Sequence, residues 1–231
     1  MLDGYRVVDL TLPIGPDTVM WPGCPAPEAE VGVTLERDGF YARRVMLWEH
    51  TGTHFDAPCH MVEGPCTHEV PAETLVCPAV VIDISGDLSP EDVDAVLTVE
   101  QVQRWEAEHG AVPEGSAVLL RTGWEEFSAD PYRYGRLPGD LRFPGFGVES
   151  ARYLVDERRV AGLGIDTLGI DAGVAAEFPV HKQVSLPKGV WHLENLTNLK
   201  SVPPTGALVM AGVLKLVDGS GSPARVLALV P

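Results

Sequence analysis

The chain has 231 residues and a formal net charge of −16, with 45% hydrophobic and 22% charged residues. Such an acidic surface repels phosphate backbones and anionic bilayers, which argues against a nucleic-acid or membrane-surface role. The apolar run at 207–214 is far too short to cross a bilayer.

A chain of this length buries roughly 70% of its unfolded surface, so a core needs neither disulfide nor metal to hold it. The length and the lack of repeats or long linkers predict one domain over residues 1–231. Cys24, Cys59, Cys66 and Cys77 form no C-x-x-C pair, and the first residues lack a basic and then apolar leader. Together these predict free thiols and a cytoplasmic location.

In chain order, β-branched and alternating runs predict strands at 7–12 and 41–49, then at 80–84, 118–122 and 164–165, and finally at 207–217 and 225–230. Thr98 and Gln101 form a capping box ahead of Val99, Val102 and Trp105, and Gly110 supplies the stop. A second helix is predicted over 148–160, with Val148, Ala151, Leu154 and Val155 on one face and Gly162 ending it. Strands outnumber helices and often follow one another directly. The pattern predicts a mixed α/β fold with substantial antiparallel pairing and not a repeated parallel βαβ wind.

Residues 50–60 read His-Thr-Gly-Thr-His-Phe-Asp-Ala-Pro-Cys-His, placing three of the chain's seven histidines and one aspartate within a dozen positions. Gly52 and Pro58 keep this segment out of regular helix. Imidazole and carboxylate are the donors that zinc and manganese accept. His50 and His54 are spaced to converge on one ion, Asp56 has two oxygens with which to bridge, and His60 reads either as a further ligand or as a general acid/base.

The pattern H-x-G-T-H-x-D-x-P-x-H resembles the signature of the cyclase family of metal-dependent hydrolases, which includes arylformamidases and isatin hydrolases. Further landmarks stand in the same order: Trp-Pro-Gly at 21–23, Gly-Ile-Asp-Thr-Leu at 164–168, His181, and Glu-Asn-Leu-Thr-Asn-Leu at 194–199. The resemblance implies a compact β-rich α/β domain of the swivelling β/β/α type, with a barrel-like core flanked by helices. It implies that His50, His54 and Asp56 bind a divalent zinc or manganese ion. His181 and Glu194, with Asp56, would complete a second site or support the first. His60 would be the catalytic acid/base, and Trp21 a wall of the substrate pocket. The implied reaction is attack of metal-bound hydroxide on a small aryl formamide or cyclic amide, in a homodimer or homotetramer. A lactonase, a biosynthetic cyclase or dehydratase, and a non-catalytic metal-binding domain are the alternatives.

His192, two residues before Glu194, reads either as a partner supporting the ligands or as an ordinary strand residue, and Cys59 reads as a buried thiol. His68 and His109 read as surface residues, and Trp48, Trp124 and Trp191 as pocket lining or core. The aromatic, proline-rich stretch 127–144 reads as extra material relative to formamidases. No G-x-S-x-G elbow, P-loop or dinucleotide fingerprint is present.

Overall fold

A computed structural model describes residues 4–135 and 139–231. The elements run β1 (Arg6–Asp9), β2 (Glu28–Val33), α1 (Leu35–Asp38), β3 (Ala42–Met46), β4 (His54–Asp56), β5 (Val76–Asp83) and β6 (Val96–Leu97). They continue with α2 (Val99–His109), β7 (Ala117–Arg121), α3 (Pro131–Gly135), β8 (Gly145–Phe146), α4 (Val148–Arg152) and β9 (Gly162–Ile165). The chain closes with β10 (Trp191–Glu194), β11 (Ala207–Val213) and β12 (Gly221–Val230).

The main sheet has the order β1-β12-β11-β5-β7-β9-β10-β4, and a further pairing of β12 with β4 closes β4, β5, β7 and β9–β12 into a seven-stranded mixed barrel. This is the barrel-like α/β core expected from the sequence. One part of that expectation is corrected. The run β5–β7–β9–β10 is parallel throughout, with α2 and α4 in its first two crossovers. Strands buried on both faces read as unbroken apolar runs such as residues 117–120, which hides their period and the pairing it serves.

Alternation divides these strands between two cores. Phe55, Ala79, Val81, Leu119, Leu193, Val209 and Val226 fill the barrel. Val80, Ile82, Val118, Leu120, Leu163 and Ile165 face outward beneath Val102, Trp105, Ala151 and Leu154 of the two helices. Each Val, Leu, Ile or Phe among them contributes roughly 1.5–3 kcal/mol by leaving water. Trp105 also donates its indole N–H to Val81 O at 2.9 Å, which fixes α2 on the sheet. The predicted capping box of α2 is present in full.

The second predicted helix is shorter than expected. It passes from α4 into a π-helical turn at Tyr153–Glu157 and ends where Arg159 takes φ 51°. Gly162 is therefore not its stop but the first residue of β9. A Cβ there would lie 2.3 Å from the Trp191 ring, so the position serves close packing and not chain reversal.

Cys59 and Cys66 form a disulfide, with Cα atoms 5.1 Å apart, which corrects the expectation of four free thiols. Residues 59–66 turn back on themselves, with Cys59 N donating to Pro65 O at 3.3 Å, and so bring the two thiols together. The inference from free thiols to a reducing compartment falls with it. Cys24 and Cys77 remain free. No helix among the described residues is long and apolar enough to cross a membrane. Of the stretch 127–144, residues 136–138 lie outside the described residues, and the rest includes α3 and Phe143, which packs with Trp124, Tyr134 and Leu168.

Candidate metal and active site

Strand alternation sends Phe55 and Leu193 into the barrel and their neighbours out of it. His54 and Asp56 of β4, with His192 and Glu194 of β10, therefore share the outer face, in register as His192↔Asp56 and Glu194↔His54. The segment between β9 and β10 arches over this face. Glu177 and Phe178 take φ 65° and 53° there, a backbone region that non-glycine residues seldom occupy. The π-helical turn Val180–Ser185 follows and brings in His181. His50 enters from the other side, against β12. A Cβ on Gly221 would lie 2.4 Å from His50 Cε1, so only glycine admits the ring.

Each of four imidazoles is held from behind by one ring nitrogen, which leaves the other facing the carboxylates. His54 Nδ1–H donates to Gly52 O at 2.9 Å, and His54 Nε2 stands 3.2 Å from Asp56 Oδ1 and 3.3 Å from Glu194 Oε2. His181 Nδ1–H donates to Asp171 Oδ2 at 2.7 Å, and its Nε2 stands 3.3 Å from Glu194 Oε1 and 3.5 Å from Asp56 Oδ2. Behind His50, the Ser220 hydroxyl donates to Glu49 Oε2 at 2.7 Å and so accepts from His50 Nε2–H at 3.0 Å. His50 Nδ1 then lies 2.7 Å from Asp56 Oδ1. His192 is held by Ser185.

His60 differs from these. Its ring lies against His50, with centroids 3.9 Å apart, and no hydrogen bond of the described residues anchors it. Burial, with the His50 and His181 rings beside it, outweighs Asp56 and lowers its pKa to about 4. His54 is shifted the other way. Burial disfavours its charge, but Asp56 and Glu194 outweigh that and raise it. His181 is likewise raised, against its burial, by Asp171, Asp56 and Glu194, while Asp56 and Glu194 are held low by these histidines despite burial. The carboxylates thus draw positive charge into a largely buried space.

Donor type and spacing fit a divalent ion. One oxygen or ring nitrogen each from Asp56, His181, His192 and Glu194 falls within 4.8 Å of the others, and so do those of His50, Asp56 and His60. Residues 8–172 match the model of the family described as "Putative cyclase". The chain belongs to the cyclase family. It is 35% identical to an isatin hydrolase of Roseibium aggregatum, over 98% of this chain and 92% of that one. It is 27% identical to a kynurenine formamidase of Salinibacter ruber, over 95% of each. The fold superposes with a TM-score of 0.92 on an isatin hydrolase bound to the product analogue thioisatinate, at 33% identity, covering 99% of this chain and 94% of that one.

Above the donors of this cyclase-family site lies a cavity of about 440 Å³. His50, His54, His60, His181 and Glu194 form its polar side, and Val19, Trp21, Met61, Leu168 and Phe178 its apolar side. Every site residue named from the sequence is therefore brought to one place. Trp21 stacks near Phe178, with centroids 5.8 Å apart. Trp124 and Trp191 are core residues, whereas Trp48 is 53% exposed. His109 is exposed and His68 half-buried, as expected of surface residues.

One residue of the site was not legible, and another was only partly read. Asp171, which orients His181, carries no motif of its own. His192 lies on a strand as expected, but it is fully buried and faces the carboxylates. Its separation of two from Glu194 was the available signal, since alternation sends both to one face.

Proposed function

We propose that the protein is a metal-dependent hydrolase that cleaves the C–N bond of a small amide, with aryl formamides and isatin-like cyclic amides as the nearest substrates. The observation that carries this reading is the pairing of an anchored His/Asp/Glu donor set with an unanchored His60 at the floor of an apolar, aromatic-edged cavity. The full-length likeness to isatin hydrolase and kynurenine formamidase supports the substrate class.

His50, His54, Asp56, His181 and Glu194 hold one or two ions of zinc or manganese, the metals their nitrogen and oxygen donors suit. When bound, such an ion supplies Lewis acidity toward a carbonyl oxygen and acidifies water. The chain's own residues do the rest. Trp21 and Phe178 flank an aryl ring and set the carbonyl toward the carboxylate side of the cavity. His60, whose burial lowers its pKa and keeps it neutral, offers an unanchored ring nitrogen for proton transfer. It takes one proton from the attacking water as the C–O bond forms and returns it to the nitrogen as the C–N bond breaks. A formamide yields formate and an amine, and a cyclic amide yields its ring-opened amino carboxylate.

The ribbon of β2 and β3 projects exposed Val31, Val45 and Met46, with Phe40 and Tyr41 at its turn, which supports assembly as the expected dimer or tetramer.

The test is a panel of aryl formamides, isatins and lactones assayed with wild type and His60→Ala. The reading expects amide turnover at least about 100-fold above lactone turnover. It also expects His60→Ala to lose roughly 10²–10⁴-fold in kcat with bound metal unchanged. Preferential lactone turnover would replace the amide assignment, and loss of metal in His60→Ala would remove the proton-transfer role.

A further inference from the structure

We infer that His192 is a metal ligand through Nδ1, completing with Asp56, His181 and Glu194 a buried four-donor site. The inference rests on the metal-binding part of the proposed function and gives one of the ions a defined cage.

The protonation of the ring follows from its partners. The Ser185 hydroxyl donates to Val180 O at 2.8 Å, so its oxygen accepts from His192 Nε2–H at 2.7 Å. Nδ1 is then the bare nitrogen. It is buried and has no hydrogen-bond partner. A buried polar group left unsatisfied costs stability. Asp56 Oδ2 lies 3.7 Å from it, which is too far for a hydrogen bond. A lone pair and a carboxylate oxygen facing each other without a proton between them repel, and a cation between them removes the conflict.

The spacing matches that cation. Bonds of about 2.0–2.1 Å at tetrahedral angles place neighbouring donors roughly 3.3–3.4 Å apart. Three of the six separations are 3.3 Å for His181 to Glu194, 3.5 Å for His181 to Asp56 and 3.7 Å for His192 to Asp56, and all lie within 4.8 Å. All four residues of this set are buried, whereas His50 and His60, which share Asp56, are half-buried. The more buried set suits a tightly retained ion, and the half-buried set lies on the more exposed side of the same cavity.

The test is zinc affinity by chelator competition on metal-stripped wild type, His192→Phe and Ser185→Ala, with circular dichroism confirming folding. Phe keeps the ring volume and removes the donor, whereas Ser185→Ala keeps the donor and frees the ring. The expected order is a loss of roughly 10–100-fold for Ser185→Ala, the usual effect of losing a supporting partner, and a larger loss for His192→Phe. An affinity unchanged in His192→Phe, or lowered no more than in Ser185→Ala, overturns the inference. A folded wild type that binds no zinc overturns it together with the metal-dependent function. Zinc binding with the expected order but no amide turnover leaves it standing and removes only the hydrolase reading. Should His192→Phe not fold, the ¹⁵N shift of His192 Nδ1 in wild type decides: movement on zinc addition supports ligation, and an unmoved resonance overturns it.

Discussion

Asp171 lies outside the motif that first marks the site, yet it determines which nitrogen of His181 faces the carboxylates. Its Oδ1 accepts from Val180 N at 2.8 Å, and its Oδ2 accepts from His181 N at 3.1 Å and from the ring Nδ1–H at 2.7 Å. Asp171→Asn keeps the shape but replaces one of these acceptors with a donor. Metal affinity in this variant should fall roughly 10–100-fold while the fold persists, measured by chelator competition. Unchanged affinity would show that the ring is placed by packing alone. The candidate ligands at 50–60 were legible because a short stretch of chain carries them together, and the candidates His181 and Glu194 because the resemblance extends that far. Asp171 and His192 act through contacts that exist only once the β9–β10 crossover has folded over β4. Their chemistry is written in positions 10 residues and 2 residues from a recognised ligand, with no local signature beyond strand alternation.

At the scale of elements, the helices are held by polar ties as well as by packing. Glu106 of α2 accepts from Arg158 Nε at 2.6 Å, from Tyr153 OH at 2.8 Å and from Val112 N at 3.0 Å, joining α2 to the turn that follows α4. The Arg158 hydrogen bonds, against a smaller effect of burial, hold the Glu106 carboxyl down at about 2, below its ordinary 4.5. A depressed folded-state pKa contributes stability that is present above about 4.5 and lost as pH falls toward 2. Glu106→Gln should therefore be less stable than wild type at pH 7, by on the order of 1 kcal/mol for a partly solvated pair. The difference should shrink when both are unfolded in denaturant at pH 3. An equal difference at both values would assign the effect to packing. The capping box of α2 and most strands could be read from local patterns. The short β4 and the π-helical turns could not. Three or four residues buried on both sides carry too few positions to show a period, and His54–Asp56 reads as a ligand motif before it reads as a strand.

At the scale of the molecule, barrel closure turns these pieces into a site. β4 pairs with β10 on one side and β12 on the other, so residues from positions 54, 192 and 221 meet across chain separations that no local pattern records. Closure also fixes which face of β4 looks outward, since slipping the strand by one residue would send His54 and Asp56 into the barrel and Phe55 out. The disulfide between Cys59 and Cys66 shows the same limit at shorter range. Cysteine spacing alone suggested free thiols, and only the turn that brings the sulfurs together reveals the bond. The most direct test of the account is to strip the wild-type protein of metal, assay hydrolysis of an aryl formamide and of isatin, and assay again after adding zinc or manganese. Activity should vanish with the metal and return with stoichiometric readdition. Undiminished C–N cleavage by protein shown to be metal-free would contradict it.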